Sequence, residues 1–162
     1  MNRRWISGCA GVLMLATTLT HAQDPLPAEP ARLAAGGLLL AAVDTGKQFV
    51  AVGERGNIVT SADGERWAQV KVPVRSTLTG VSFADAMHGW AVGHDATIVA
   101  TEDGGRSWML QHYAPDAGKP LLNVLFTDVR TGYAIGAFGL FLVTDDGGKN
   151  WTELLAPGVR EE

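Results

Sequence analysis

The chain has 162 residues, with 13 Lys and Arg against 17 Asp and Glu, a formal charge of −4, and one cysteine, Cys9. That length holds one domain with a substantial core, and the mild acidity gives no general attraction for nucleic acid or anionic lipid. A lone cysteine excludes an internal disulfide and a cysteine-based zinc site.

The N-terminal 22 residues stand apart. Arg3 and Arg4 precede a largely apolar run over 5–19, and Thr20-His21-Ala22 has the small-residue character of a cleavage site before Gln23. This is the pattern of a secretory signal peptide, so 1–22 is expected to be removed and the chain exported to a periplasmic compartment. The run is too short and too interrupted by Ser, Gly and Thr for a membrane span. Ile6-Ser7-Gly8-Cys9 has the look of a lipoprotein box but stands ahead of the apolar run, where an anchor site would follow it. Cleavage near Ala22-Gln23 would leave a mature chain without a thiol. Residues 23–37, with Pro25, Pro27 and Pro30 among Ala and Glu, read as an extended leader.

From residue 38 onward the pattern is short and strand-like. The first unit, 38–74, predicts strands over 38–43, 49–53, 57–61 and 67–72. The second, 75–115, predicts 78–83, 90–93, 97–101 and 108–113. The third, 119–157, predicts 121–126, 133–136, 140–144 and 151–155. Nowhere after the leader do apolar residues recur at helical spacing. Four short strands per unit of 40 to 43 residues describe an all-β, incomplete β-propeller of about three four-stranded blades.

The same phrase ends the third strand of each unit. It reads Ser61-Ala62-Asp63-Gly64-Glu65-Arg66-Trp67, then Thr101-Glu102-Asp103-Gly104-Gly105-Arg106-Ser107-Trp108, then Thr144-Asp145-Asp146-Gly147-Gly148-Lys149-Asn150-Trp151. The first copy is one residue short. Each Asp lies ten residues beyond the Gly of an upstream frame, Ala51-Val52-Gly53, Ala91-Val92-Gly93 or Ala134-Ile135-Gly136. The expected roles are structural. Asp63, Asp103 and Asp146 accept backbone N–H groups and close a turn. Gly64, Gly104, Gly105, Gly147 and Gly148 supply positive φ or a close approach. Trp67, Trp108 and Trp151 fold back over the turn or pack between blades. Asp145-Asp146 lacks the spacing of a calcium loop. His88, His94 and His112 keep no regular ligand spacing, so no metal or cofactor is expected.

Ser/Thr-x-Asp-x-Gly-x-x-Trp is the Asp-box, or bacterial neuraminidase repeat. With Gly89-Trp90-Ala91-Val92-Gly93 and Gly132-Tyr133-Ala134-Ile135-Gly136 ahead of it, the repeat resembles those of the photosystem II stability/assembly factor family over roughly residues 38–156. The resemblance implies a non-enzymatic, exported propeller that binds a membrane-protein precursor and helps to assemble or stabilise its complex. It also implies a patch of arginines for binding, for which Arg55, Arg66, Arg106 and Arg130 are the candidates, although the residues themselves read more readily as solvated turn charges. Phe138 and Phe141 are candidate rim contacts. The alternative is a fragment of a sialidase-like Asp-box glycosidase, which resembles an arginine triad, a tyrosine with a partnering glutamate, and an aspartate at the propeller centre. Tyr113 and Tyr133 are the only tyrosines, and Tyr133 occupies a frame position taken by Trp90. Three blades cannot close a ring, so the first and third are each expected to expose an apolar face. Self-association through those faces, or continuation in a longer reading frame, would cover them.

Overall fold

A computed structural model describes residues 24–154. The expected signal peptide, and the end of the last predicted strand at residue 155, lie outside the described residues. Twelve strands form three antiparallel meanders. The first holds β1 (Leu39–Asp44), β2 (Phe49–Gly53), β3 (Ile58–Ser61) and β4 (Ala68–Gln69). The second holds β5 (Leu78–Phe83), β6 (Gly89–Gly93), β7 (Ile98–Thr101) and β8 (Met109–His112). The third holds β9 (Leu121–Phe126), β10 (Gly132–Gly136), β11 (Phe141–Thr144) and β12 (Thr152–Glu153). The first strands of successive sheets, β1, β5 and β9, are neighbours, so the sheets stand side by side as propeller blades. The outer strands β4 and β12 are shorter than the sequence pattern predicts. Each pairs with only two residues of its neighbour.

Both faces of the second blade's middle strands are apolar and buried, because that blade is covered on both sides. On the second blade Trp90, Val92, Ile98 and Ala100 meet Leu121, Val124, Phe126, Ala134 and Leu142 of the third. Its opposite face sends Ala91, Val99 and Trp108 against Val50, Val52 and Ile58 of the first. Phe126 lies parallel to Trp90 at 3.4 Å between centroids and takes Trp151 edge-on at 5.9 Å. These rings add aromatic packing to the second interface.

The Gly that ends each frame has extended backbone, so its role is space rather than φ. A Cβ at Gly53, Gly93 or Gly136 would collide with the carbonyl oxygen of Leu38, Thr77 or Pro120 as the incoming strand crosses it. Three tight turns follow, Glu54–Gly56, His94–Ala96 and Ala137–Gly139. Their central residues Arg55, Asp95 and Phe138 all take left-handed φ, at 56°, 59° and 55°.

The two end blades differ. The leader does not run free but wraps the first blade. Ala28 N donates to Val72 O at 3.1 Å, Gln69 bonds Ala31 N and Glu29 O at 2.8 and 3.0 Å, and Asn57 Nδ2 donates to Ala34 O at 3.0 Å. Ala34 is thereby buried against Ala51 and Val59. The expectation of an exposed first face is therefore corrected, since the leader covers part of it. On the third blade Leu125, Ile135 and Leu154 remain exposed.

Candidate functional site

Each Asp-box is a self-contained hydrogen-bonded turn. Asp63 Oδ1 accepts the Glu65 and Arg66 amides at 3.0 and 2.9 Å, and Asp103 Oδ1 accepts those of Arg106 and Ser107 at 2.9 Å each. Asp146 Oδ1 accepts Asn150 N at 3.0 Å. The hydroxyls of Ser61, Thr101 and Thr144 donate to the same oxygens at 3.1, 2.8 and 2.9 Å. The second carboxylate oxygen is taken by Arg66, by Ser107 Oγ at 2.6 Å and by Asn150 Nδ2 at 2.7 Å.

Hydrogen bonds to the charged form hold these carboxyls below the ordinary range. The Arg66 amide and guanidinium push Asp63 well down. At Asp103 burial opposes the charge, but the Ser107, Thr101 and Arg106 donors outweigh it and bring the pKa to about 2. Asn150 does the same for Asp146, also to about 2. Each box carboxylate is thus engaged by its own turn, Oδ1 by the backbone and hydroxyl donors and Oδ2 by one side chain.

The bonds also show which residue the short first box lacks. Gly64, Gly105 and Gly148 donate their N–H to Ser61, Thr101 and Thr144 at 2.8, 2.9 and 2.9 Å. Gly64 is thus the counterpart of the second glycine, and the first, Gly104 or Gly147, has no equivalent in the first blade. That first glycine carries two contacts. Its N–H bonds the β-turn of its own blade, Gly104 to Met87 O at 2.9 Å and Gly147 to Arg130 O at 2.8 Å. Its carbonyl is gripped by the preceding blade, Gly104 by Gln48 Nε2 at 2.6 Å and Gly147 by Trp90 Nε1 and Gln111 Nε2 at 3.2 and 3.0 Å. The second glycine's carbonyl accepts the box's own tryptophan in the first two blades, Trp67 at 3.0 Å and Trp108 at 3.2 Å. Trp151 Nε1 is buried without a partner, and its ring serves against Phe126 instead.

The four candidate arginines do not converge. In an up-and-down meander the first and third turns lie at one end of the blade and the second at the other, which puts Arg66, Arg106 and Arg130 at the Asp-box end and Arg55 at the opposite end. Arg66 pairs with Asp63 at 2.8 Å, and Arg130 Nε donates to Asp145 O at 3.2 Å. Arg106 is exposed in a shallow pocket with Lys47, Gln48, Met87 and Gly104, and among the described residues neither Arg106 nor Lys47 forms an ion pair. Lys47 escapes a sequence reading centred on the boxes. Its position in the first turn of its blade is the signal that puts it at the same end. Arg55 lines a separate cleft of about 330 Å³ with Glu29, Leu33 and Arg75.

A second set of aspartates also goes unread in the sequence. Asp85 Oδ1 accepts Met87 and His88 amides at 2.7 and 2.8 Å, and Asp128 Oδ1 accepts Arg130 and Thr131 amides at 2.7 and 2.9 Å. Both open an Asp-x-x-x-Gly phrase, ending at Gly89 and Gly132, which is the signal that marks them. Phe138 stands 81% exposed at its left-handed turn, whereas Phe141 stacks on Tyr133 on the side of the third blade. Among the described residues no three His, Cys, Asp or Glu side chains gather to hold a metal ion.

Three meander blades joined by Asp-box turns define an Asp-box β-propeller segment. A profile of the family described as "Photosynthesis system II assembly factor YCF48" matches residues 59–157, and the chain belongs to that family. A photosystem II assembly protein Ycf48 of Thermosynechococcus vestitus is 38% identical over 50 residues, 31% of this chain and 14% of its own length. The chloroplastic stability/assembly factor HCF136 of Guillardia theta is 39% identical over 57 residues, 34% of this chain and 14% of its own. An assembly lipoprotein Ycf48 of Trichormus variabilis is 36% identical over 59 residues, 36% of this chain and 17% of its own. A solved structure described as YCF48 bound to D1 peptide superposes with a TM-score of 0.62 at 24% identity, over 71% of this chain and 39% of that one. YCF48 from Cyanidioschyzon merolae gives 0.57 at 19%, over 72% and 40%. The chain therefore spans a minor part of the relatives it matches, and the solved structures establish the propeller fold.

Proposed function

We propose that this chain is a non-enzymatic assembly factor, an exported blade stack that holds a segment of a membrane-protein precursor while its complex is put together. The observation that carries the reading is the family match across all three boxes, in a chain whose box carboxylates are engaged by their own turns. Export with cleavage near Ala22-Gln23 belongs to the same proposal. The ligand we assign is a peptide, as in the solved relative described as bound to a D1 peptide, and its carboxylates would meet the Asp-box end, where Lys47 and Arg106 form no ion pair among the described residues. A sialidase-type centre is not favoured. Tyr133 lies on the side of the third blade, stacked on Phe141, away from any cluster of arginines.

A fluorescently labelled D1 peptide titrated with the full chain, read by anisotropy, tests this. Saturable binding is expected, weakened by added salt and by about tenfold, or 1.4 kcal/mol, when Lys47→Ala and Arg106→Ala are combined. Absence of saturable binding would overturn the peptide ligand. Binding indifferent to the double variant would overturn its assigned site.

A further inference from the structure

The first blade holds the leader by its main chain. Gln69 of β4 grips it twice, Nε2 donating to Glu29 O at 3.0 Å and Oε1 accepting Ala31 N at 2.8 Å. Asn57, 7% exposed, donates Nδ2 to Ala34 O at 3.0 Å, and its Oδ1 accepts Gln69 Nε2 at 2.7 Å, so the two amides orient each other. Ala28 N adds a backbone bond to Val72 O at 3.1 Å. One side-chain ion pair joins these bonds, Glu29 to Arg75 at 2.6 Å. The other blades carry no such clamp. Strand pairing puts Leu110 and Glu153 at the position of Gln69, and the turn bonds put Thr97 and Leu140 at that of Asn57. Amide side chains that bond backbone N–H and C=O groups receive any extended chain, whatever its side chains.

The leader makes shallow use of this groove. Of residues 24–37 only Ala34 is buried, and Leu26 and Leu33 are largely exposed. The Glu29–Arg75 pair is exposed on both sides, where water and salt leave it little strength. Pro25, Pro27 and Pro30 keep the segment extended whether docked or free, and Gly36-Gly37 supplies a hinge before β1. Two cavities flank it at the end opposite the Asp-boxes. One of about 330 Å³ is lined by Pro30, Leu33 and Arg75, and one of about 300 Å³ by Leu26, Arg75 and Tyr113. The leader borders both and fills neither, so an extended segment whose side chains enter them would hold the same clamp more tightly.

We propose that the Gln69–Asn57 clamp is a peptide groove gated by the chain's own leader, which swings out about Gly36-Gly37 while an extended segment of another protein, with a carboxylate opposite Arg75, takes its place. Gln69 and Asn57 recognise the main chain, Arg75 sets the register, and the leader acts as the competitor in cis. The groove lies at the opposite end of the blades from Lys47 and Arg106, and it stands independently of the ligand assigned to them.

The probe is a fluorescent peptide of leader residues 24–35, titrated with the full chain and read by anisotropy. In one variant the cis leader is weakened by Ala28→Pro, which removes its N–H donor, and Glu29→Arg, which repels Arg75. This variant should melt cooperatively and bind the peptide about tenfold more tightly than the parent does, because the tethered competitor is gone. Adding Gln69→Ala should abolish that binding, whereas adding Lys47→Ala with Arg106→Ala should leave it unchanged. No binding to the folded variant, equal binding to the parent, or loss through Lys47 and Arg106 would each overturn the groove, and so would a variant that no longer melts cooperatively, since the leader would then belong to the core. The parent also answers alone. Its Ala28 and Ala31 amides should exchange with deuterium through a local opening insensitive to low denaturant, and exchange only through global unfolding would overturn the gate. A parent dimer by light scattering, dissolved by Ala28→Pro with Glu29→Arg, would assign the groove to a second copy's leader and overturn the separate partner.

Discussion

Asp103→Ala removes an acceptor shared by four donors, the Arg106 and Ser107 amides at 2.9 Å, the Thr101 hydroxyl at 2.8 Å and the Ser107 hydroxyl at 2.6 Å. A hydrogen bond to a charged group contributes about 1.5–3 kcal/mol net, but these four do not add. The turn is exposed at Arg106 and Ser107, so both amides and the Ser107 hydroxyl regain water. Thr101 is 1% exposed, and its hydroxyl is the group that loses its partner without replacement. The expected loss is about 1–3 kcal/mol, which for a domain of this size lowers Tm by roughly 3–9 °C. Thermal unfolding followed by circular dichroism measures it, with two controls. Asp103→Asn keeps an oxygen for the amides and should lose less than half as much. Asp145→Ala removes an exposed carboxylate of the third box that accepts none of these bonds, and should stay within about 0.5 kcal/mol of the parent. A parent-like melt for Asp103→Ala, or an equal loss for Asp145→Ala, would refute the assignment of the box aspartate as the keystone of its turn.

Acid should unfold the chain in a defined window. Asp85, Asp103 and Asp146 titrate at about 2 in the fold and Asp63 lower still, against about 3.9 when unfolded, so the unfolded chain binds more protons and the stability these groups contribute fades as pH falls from about 4 toward 2. Burial likewise depresses the pKa of His112 in the fold, which begins the decline below about pH 6.5, and a melt flat between pH 7 and pH 2 would contradict both. Gly93→Ala should lose about 1–3 kcal/mol in a denaturant titration, because its Cβ meets the Thr77 carbonyl, whereas Gly118→Ala, with open space at its Cβ, should lose less despite its positive φ. Arg66→Ala should change stability by no more than about 1 kcal/mol in the same titration, since the Asp63 pair is exposed and screened and the backbone donors stay in place.

Much of this architecture was legible because the repeat writes each element three times. The inner strands β5 and β9 fall where the apolar runs end at Phe83 and Phe126, and β2 spans Phe49–Gly53 as its alternation requires. The outer strands were overread. Trp67 and Trp151 look like strand residues, but their rings turn back over the box and the pairing begins one residue later. The box aspartates were readable because an Asx turn is local chemistry. The grip of Trp90 and Gln111 on Gly147 O was not, because it joins residues 57 and 36 apart in the chain. The missing glycine of the first box is visible as a gap in the sequence, but only the bond from Gly64 N to Ser61 Oγ shows which glycine it is. The arginines were chosen as turn residues without regard to which end each turn occupies. The meander separates Arg55 from the rest, Arg66 bonds Asp63 within its own turn, and Arg130 reaches across to the Asp145 carbonyl of its blade's Asp-box.

Hydrogen–deuterium exchange of the full chain, read by mass spectrometry peptide by peptide, tests most directly the claim of three stacked blades, the first partly covered by the leader and the third exposed on its outer face among the described residues. The amides of β6 and β7, in the blade covered on both faces, should exchange slowest. Those of β2 and β3 should follow, protected by the leader, and those of β10 and β11 should exchange fastest of the three pairs. Equal protection of β10 and β6 would contradict the exposed outer face, and early exchange of β2 and β3 would contradict the partial cover.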